Sequence, residues 1–320
     1  MARKKLKIAV LYGGKSPEHE VSIESARKVI ENLDRNKYLV TPKKIPRSGR
    51  YNWNSLRNYD VVVPVFHGLF GEDGTIQGFL KLLGVPFVGA GVLGSAVGMD
   101  KDVSKKLLRD ARIPVVKFIS CVANDVPSFS VVGKKLRLPI FVKPANTGSS
   151  VGVSKVMNAR EYKRAVQGAF KYDKKILIEE GIEGREIECA VIGNGKLFVS
   201  RPGEIIPKEE FYTYKAKYDD SSGTEYVVPV KLPRKLLKRI QDLARRTYKA
   251  LECEGMGRVD FFVSHKGQVY VNEINTIPGP VMFRRMFEAS GLPFPKLLDK
   301  LIELAIERYS REKKLKTSFK

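Results

Sequence analysis

The stretch spanning residues 256–279, MGRVDFFVSHKGQVYVNEINTIPG, constrains this chain more than any other. Two runs rich in β-branched and aromatic residues, 258–263 and 268–275, flank Lys266-Gly267, whose glycine tolerates positive φ. The stretch therefore reads as a β-hairpin. Side chains alternate along a strand, so Arg258, Asp260 and Phe262 share one face, and Glu273 and Asn275 share another. With a two-residue loop at Lys266-Gly267, His265 pairs with Gln268 and Asp260 falls opposite Glu273. Opposed residues have Cβ atoms roughly 5 Å apart, so two carboxylates and the Asn275 amide converge. Like charges at that distance repel unless a cation joins them. The runs FF and VYV mark a buried sheet, where an unpaired acid is costly; this weighs against a solvent-facing hairpin with scattered acids. All three donors are hard oxygens, which suit Mg²⁺ rather than zinc. Mg²⁺ held by few protein oxygens completes its shell with water and nucleotide phosphates.

At 320 residues the chain has room for two or three domains. Hydrophobic content of 43% and charged content of 29% are ordinary for a soluble globular protein, and no apolar run approaches the roughly 20 residues a membrane helix needs. The basic start followed by IAVLY is too short for a signal peptide and runs into Gly13-Gly14, which reads as a strand and turn. Cys121, Cys189 and Cys253 are far apart, odd in number and outside metal spacing, which fits a reduced, cytoplasmic location and small buried side chains. The net charge of +23 raises nucleic acid as a partner. The basic residues are nevertheless spread along the chain, with no zinc-finger spacing, basic zipper or RNP-type motif, and they read as a solvated surface that also attracts anionic substrates.

In chain order, residues 7–12 form a buried strand, and 21–33 carry the apolar stripe of a helix. Strands follow at 38–45 and 60–66, and strand-helix-strand-strand with glycine-rich loops predicts an open α/β sheet that binds ligands at its carboxyl edge. Ser16, Glu18 and Ser22 stand at one such loop, and His67 opens another at the end of the third strand. A helix runs from Lys101 to about Ala111. A strand ending at Lys143 feeds a loop, TGSSVG, whose backbone N–H groups can approach phosphate, with the lysine as a point charge. The strand 175–180 leads into a linker suited to a hinge, and strands follow at 187–192 and 196–202. Residues 211–223 are long, polar and centred on Lys217-Tyr218, as a lid would be. Helices at 233–251 and 293–309 complete the reading.

Five motifs in order, LYGGKSPEHEVSI, HGLFGEDGTIQG, VKPANTGSSVGVSKV, YKAKY and GRVDFFV…VNEINTIPG, resemble the D-alanine–D-alanine ligases of the ATP-grasp superfamily over nearly the whole chain. The resemblance implies an α/β protein with α+β lobes in a three-domain ATP-grasp architecture. The N-terminal open α/β sheet domain would span 1–97, the central lobe 98–184, and the C-terminal lobe 185–320 with its mobile lid at about 207–228. It implies that Lys101, Lys143 and Lys217 meet ATP phosphates beside Ser149 and Ser150. Glu179, Glu180 and Ile182 would line the adenine, and Glu186 the ribose. Asp260, Glu273 and Asn275 match the family's ligands for two Mg²⁺ ions, with Mn²⁺ as a substitute, in agreement with the hairpin register.

The resemblance further implies that the first D-alanine is phosphorylated on its carboxylate, and that the amine of a second then displaces phosphate. Glu18 would bind the first ammonium, His67 would contact the carboxylate, and Arg258 with the Gly279 N–H would stabilise the oxyanion. Glu18, Ser149 and Tyr218 match a triad that locks the lid, and Tyr218 favours an amine acceptor. One departure stands out. After Gly279 the chain reads PVMFRRMFE, about three residues shorter than the family's usual segment and without the serine that holds the second substrate's carboxylate. Arg284 or Arg285 is a candidate replacement, against the equal alternative that both arginines are surface residues; a different second pocket is the further option. The resulting expectation is a homodimeric ligase acting on ATP and D-alanine for peptidoglycan synthesis, with no nucleic acid or membrane partner. An ATP-grasp ligase using D-serine, D-lactate or another amino acid as acceptor is the nearest alternative, and a basic nucleic-acid-binding protein the more distant one.

Overall fold

The computed structural model describes residues 4–207, 224–316 and 318. In order, these form β1 (Leu6–Gly13), α1 (His19–Asn32), β2 (Tyr38–Ile45), β3 (Val61–Pro64), α2 (Thr75–Leu83), α3 (Val92–Met99), α4 (Lys101–Asp110), β4 (Phe118–Val122), α5 (Phe129–Gly133), β5 (Ile140–Pro144), β6 (Ser154–Val156), α6 (Ala159–Ala169) and β7 (Lys175–Glu180). Then come β8 (Gly184–Ile192), β9 (Phe198–Val199), β10 (Gly203–Ile206), β11 (Glu225–Val227), α7 (Arg234–Ala250), β12 (Met256–Ser264), β13 (Val269–Asn275), α8 (Pro280–Glu288) and α9 (Phe294–Glu312).

Among the described residues the strands make three sheets. The first is parallel, in the order β2-β1-β3. Its central strand is buried on both faces, and Ile8, Ala9, Val10 and Leu11 are all fully enclosed. Alternation sends Ile8 and Val10 to a core shared with α1 and α9, and Ala9 and Leu11 to a core shared with α2. The second sheet, β4-β7-β5-β6, is antiparallel and packs its apolar face on α6. The third runs β11-β10-β8-β12-β13, with β9 on β8.

This third sheet carries the chemistry-bearing face. Val259, Phe261 and Val263 of β12 pack against α7, so Arg258, Asp260 and Phe262 point the other way. On that opposite face Met256, Ala190, Ile192 and Ile205 join the core of the first sheet, together with Met282, Phe283, Met286 and Phe287 of α8. The cleft opens only where that apolar cover ends.

Two sequence-derived elements shrink. The strand expected over 60–66 is β3, and the one expected over 196–202 is reduced to β9. Helix α4 is inverted relative to ordinary amphipathic logic: it buries Lys101, Asp102, Ser104, Lys105 and Leu108 and exposes Val103 and Leu107.

Arg308 of α9 ties the C-terminal helix to the first sheet. It is 3% exposed, donates to the carbonyls of Gly89 and Phe87 at 2.6 and 2.8 Å, and stacks on the Phe87 ring at 4.4 Å. Burial pulls its pKa down from the ordinary arginine value. Arg308→Ala strands two buried carbonyls and removes the packing of the aliphatic stem; it is expected to cost about 3 kcal/mol of stability in denaturant titration. A change under about 0.5 kcal/mol would show that the helix is held by its apolar face alone.

Candidate active site

The hairpin brings Asp260 opposite Glu273, and Arg258 opposite Asn275. The expected register is reached by two departures that cancel. The loop holds three residues, His265, Lys266 and Gly267: Ser264 N donates to Gln268 O at 2.9 Å, and Gly267 N to Ser264 O at 2.8 Å. A bulge then shifts the ladder between Asp260 and Phe261, because Phe261 pairs with Val271 while Asp260 pairs with Glu273. Asn272 is the extra residue, and it lines the cleft beside Glu273. The sequence does carry a trace of it. The buried residues of β13 are Val269, Val271 and Ile274, so the odd spacing switches to even across the Asn272-Glu273 pair.

On the other side of β12, Glu188 of β8 also pairs with Asp260, so three strands present three acids in one row. Arg258 lies among them. Its Nε is 2.8 Å from Asp260 Oδ1 and 3.2 Å from Glu188 Oε1, and its second fork arm meets Asp260 Oδ2 at 2.8 Å. Burial works against the guanidinium, yet Asp260 and Glu188 together raise its pKa well above the ordinary arginine value. Asn275 Nδ2 donates to Asp260 Oδ2 at 2.9 Å, and Lys101 of α4 sits 3.1 Å from Glu273. Among the described residues no group of three or more His, Cys, Asp or Glu side chains is arranged to hold a metal ion. The set here is smaller, two opposed carboxylates and an amide, and it fits a hard divalent cation that takes its remaining ligands from water and phosphate.

Two cavities meet at this row. One, about 540 Å³, is lined by Glu18, His67, Arg258, Asp260, Asn275 and Gly279. The other, about 570 Å³, is lined by Lys101, Lys143, Ser150, Glu180, Ile182 and Lys155. Glu179 is also in the wall of the second. Ser149, Glu186, Asn272 and Glu273 border both. The first cavity is rich in carboxylates and suits an ammonium; the second sets Lys101, Lys143 and Lys155, which suit phosphate, beside a wall of glutamates that includes Glu179, Glu180 and Glu186.

The walls are built by local backbone demands. Glu18 caps α1, is 6% exposed, and accepts a short hydrogen bond from Ser149 Oγ, which arrives from a loop 131 residues away. Ser149 and Ser150 both hold positive φ, 52° and 59°, a conformation that costs energy outside glycine. Gly68 has φ of 72°, a left-handed conformation that favours glycine, and a Cβ there would displace the Glu18 carboxylate. His67 contacts Ser25 Oγ through Nε2 at 2.9 Å and faces Glu72 at 3.5 Å through Nδ1. Burial raises the Glu72 carboxyl above its ordinary value despite the histidine.

The sequence reading missed Asn272, Glu188 and Glu72. Of the two readings of Arg284, pocket or surface, the structure shows the surface one. That residue is exposed on the outer face of α8, pairs with Glu288 at 2.8 Å one turn on, and stacks over Phe294. Arg285 is likewise exposed and lies over the Tyr226 ring. The helix buries Met282, Phe283, Met286 and Phe287, which forces both arginines outward and leaves Val281 and Met282 at the cavity wall. Lys217, Tyr218 and most of the expected lid lie outside the described residues.

Comparison with known proteins agrees with this geometry. A family model described as D-ala D-ala ligase C-terminus matches residues 107–303, and one described as D-ala D-ala ligase N-terminus matches 7–58 and 52–90. A D-alanine–D-alanine ligase of Caldicellulosiruptor bescii is 44% identical over 98% of this chain and 99% of its own length. The solved structure of the D-alanine–D-alanine ligase from Coxiella burnetii superposes with a TM-score of 0.88 at 40% identity, covering 98% of this chain and 97% of that one. That of Bacillus anthracis, solved in complex with ATP, superposes at 0.82 with 33% identity, covering 96% and 99%. With two family models spanning most of its length and relatives alike from end to end, this chain belongs to the D-alanine–D-alanine ligase family, and its three sheets are the ATP-grasp architecture of that family.

Proposed function

We propose that the chain joins two D-alanines into D-alanyl-D-alanine at the expense of ATP, forming ADP and phosphate for peptidoglycan precursor synthesis. The observation that carries this reading is the meeting, at one row of carboxylates, of an acid-rich cavity and a second cavity that holds Lys101, Lys143 and Lys155. A carboxylate is a poor acyl donor because oxide does not leave. Phosphorylation on oxygen by the γ-phosphate of ATP, with ADP departing, converts that oxygen into a phosphate leaving group. The neutral amine of the second D-alanine then attacks the acyl carbon, the C–O bond to phosphate breaks, and the nitrogen sheds a proton as the amide forms.

The chain's own residues divide this work. Lys101, Lys143 and the Ser149-Ser150 N–H groups hold phosphate oxygens, and Lys217 joins them by its match to the family's phosphate-contacting lysine. Glu179, Glu180 and Ile182 line the base, and Glu186 the ribose. Glu18 and His67 orient the first D-alanine. Arg258 shares its guanidinium between Asp260 and the developing oxyanion, beside the Gly279 N–H. Asp260, Glu273 and Asn275 would hold two Mg²⁺ ions, or Mn²⁺, which supply charge neutralisation of the triphosphate when bound. Tyr218 with Glu18 and Ser149 would keep water from the acyl phosphate. A cytoplasmic location and a homodimer belong to the same reading, as expectations carried over from the family; all three cysteines are free and buried, as a reducing compartment would leave them.

The test is a competition assay. With ATP, D-alanine and equimolar D-serine and D-lactate, mass detection should find D-alanyl-D-alanine as the main product. A product mass dominated by another acceptor would move the reading to the related ligase with a different second substrate. Asp260→Ala and Glu273→Ala should each lower turnover by two or more orders of magnitude with an unchanged circular dichroism spectrum, a scale set by charge stabilisation at the transferring phosphoryl group. Near-normal rates in both would remove the metal from this site. Arg284→Ala should leave kcat and both KM values within about twofold, as expected of a solvent-exposed pair; a large rise in the second D-alanine's KM would return Arg284 to the pocket.

A further inference from the structure

Helix α4 buries a second lysine behind the first. Lys105 stands one turn after Lys101 on the same face and is fully enclosed, at 0% exposure. It lines neither cavity. Its Nζ lies 3.2 Å from Glu179 Oε1, while Lys143 Nζ lies 2.7 Å from Glu179 Oε2 and 3.3 Å from Asn272 Oδ1. One carboxylate, 4% exposed, is therefore held between two ammonium groups, of which only Lys143 reaches the ligand cavity.

We infer that Lys105 is a positioning residue for the nucleotide: it is the permanent counter-charge of Glu179, and so releases Lys143 to bind phosphate. This rests on the proposed use of ATP in the second cavity. A triphosphate entering that cavity competes with Glu179 for Lys143. If Lys143 were the only partner, turning it to phosphate would abandon a buried carboxylate, and the carboxyl would take up a proton instead. Lys105 is not available to phosphate, because it is fully buried and lines neither cavity. Burial pulls its ammonium down to about 8, against which Glu179 is the chief force holding it charged. In return, although burial alone would raise the Glu179 carboxyl, Lys105 is the largest of the charges that hold it below the ordinary glutamate range.

An ionised Glu179 has a consequence for recognition. A carboxylate only accepts hydrogen bonds, whereas a protonated carboxyl also donates. Adenine offers an amino donor where guanine offers a carbonyl acceptor. A carboxylate fixed in its charged form favours the first and repels the second. Loss of Lys105 should therefore weaken ATP and relax the preference for it over GTP, while leaving the amino-acid cavity untouched.

The experiment is Lys105→Met, which keeps the length of the side chain and removes its charge. Wild-type and variant are compared by steady-state kinetics in ATP, GTP and D-alanine. The expected result is a rise in KM for ATP of about tenfold, a similar narrowing of the ATP-to-GTP ratio in kcat/KM, and a KM for D-alanine within about twofold. Equal rises in both KM values, or an unchanged nucleotide preference, would overturn the assignment. Should Lys105→Met fail to fold, Glu179→Gln is compared with the double variant Glu179→Gln/Lys105→Met. With no carboxylate to serve, the second change should cost ATP affinity less than twofold, and a further loss of fivefold or more contradicts the proposal. A wild-type enzyme that does not use ATP at all would instead defeat the proposed function before any variant is measured.

Discussion

The structure turns on two opposed carboxylates, Asp260 and Glu273, held side by side on adjacent strands. Left alone they would repel, and the sheet would not keep both on the same face. Arg258, shared with a third acid, Glu188, on one side, and Lys101 on the other, supply the positive charge that offsets this repulsion and leave the pair open to the cleft. Each partner comes from a different element: β12 itself, β8 and α4. Lys101 thus links α4 to the row, and the two cavities meet where it stands. Substrates of opposite preference are brought to one line, which is what an acyl phosphate route requires.

Around this row the chain spends polar residues where cores usually hold apolar ones. Helix α4 shows it most plainly, since lysines and acids face inward while Val103 and Leu107 face solvent. Buried charge of this kind is costly unless each group is paired. Pairing is dense: Lys175 bridges Asp100 and Asp102, Lys105 and Lys143 share Glu179, and Lys101 donates to the Thr147 carbonyl as well as facing Glu273. The site is preorganised by ion pairs that substrates can exchange for their own charges. Positive φ at Ser149 and Ser150 belongs to the same design, with strain concentrated in the loop that borders both cavities.

Much of this was legible in the sequence, for physical reasons. Strands β2 and β7 match their expected bounds because each is framed by strong turn or charge signals and pairs along its full length. The Asp260–Glu273 pairing was also legible, but by compensation: a loop one residue longer than expected and a bulge at Asn272 cancel. The bulge was readable in the parity switch between Val271 and Ile274, which a strict alternation overlooks. Glu188 and Lys105 were not legible. Their roles depend on which strands and helices become neighbours, and nothing within either segment marks a charge as buried. The pocket reading of Arg284 failed for the opposite reason. A charge near a gap in a motif looked like a replacement, yet the apolar stripe of α8 decides the direction, and that stripe turns it to solvent.

The central claim is that the carboxylate of the first D-alanine is activated by phosphorylation on oxygen. It is tested most directly with D-alanine labelled with ¹⁸O in its carboxylate, turned over with ATP and Mg²⁺, and mass analysis of the released inorganic phosphate. The account predicts one ¹⁸O atom in phosphate for each dipeptide formed, because the oxygen that attacks phosphorus leaves with it. Unlabelled phosphate released alongside dipeptide would mean that ATP is cleaved by water and that the cleft does not bring the carboxylate to the γ-phosphate.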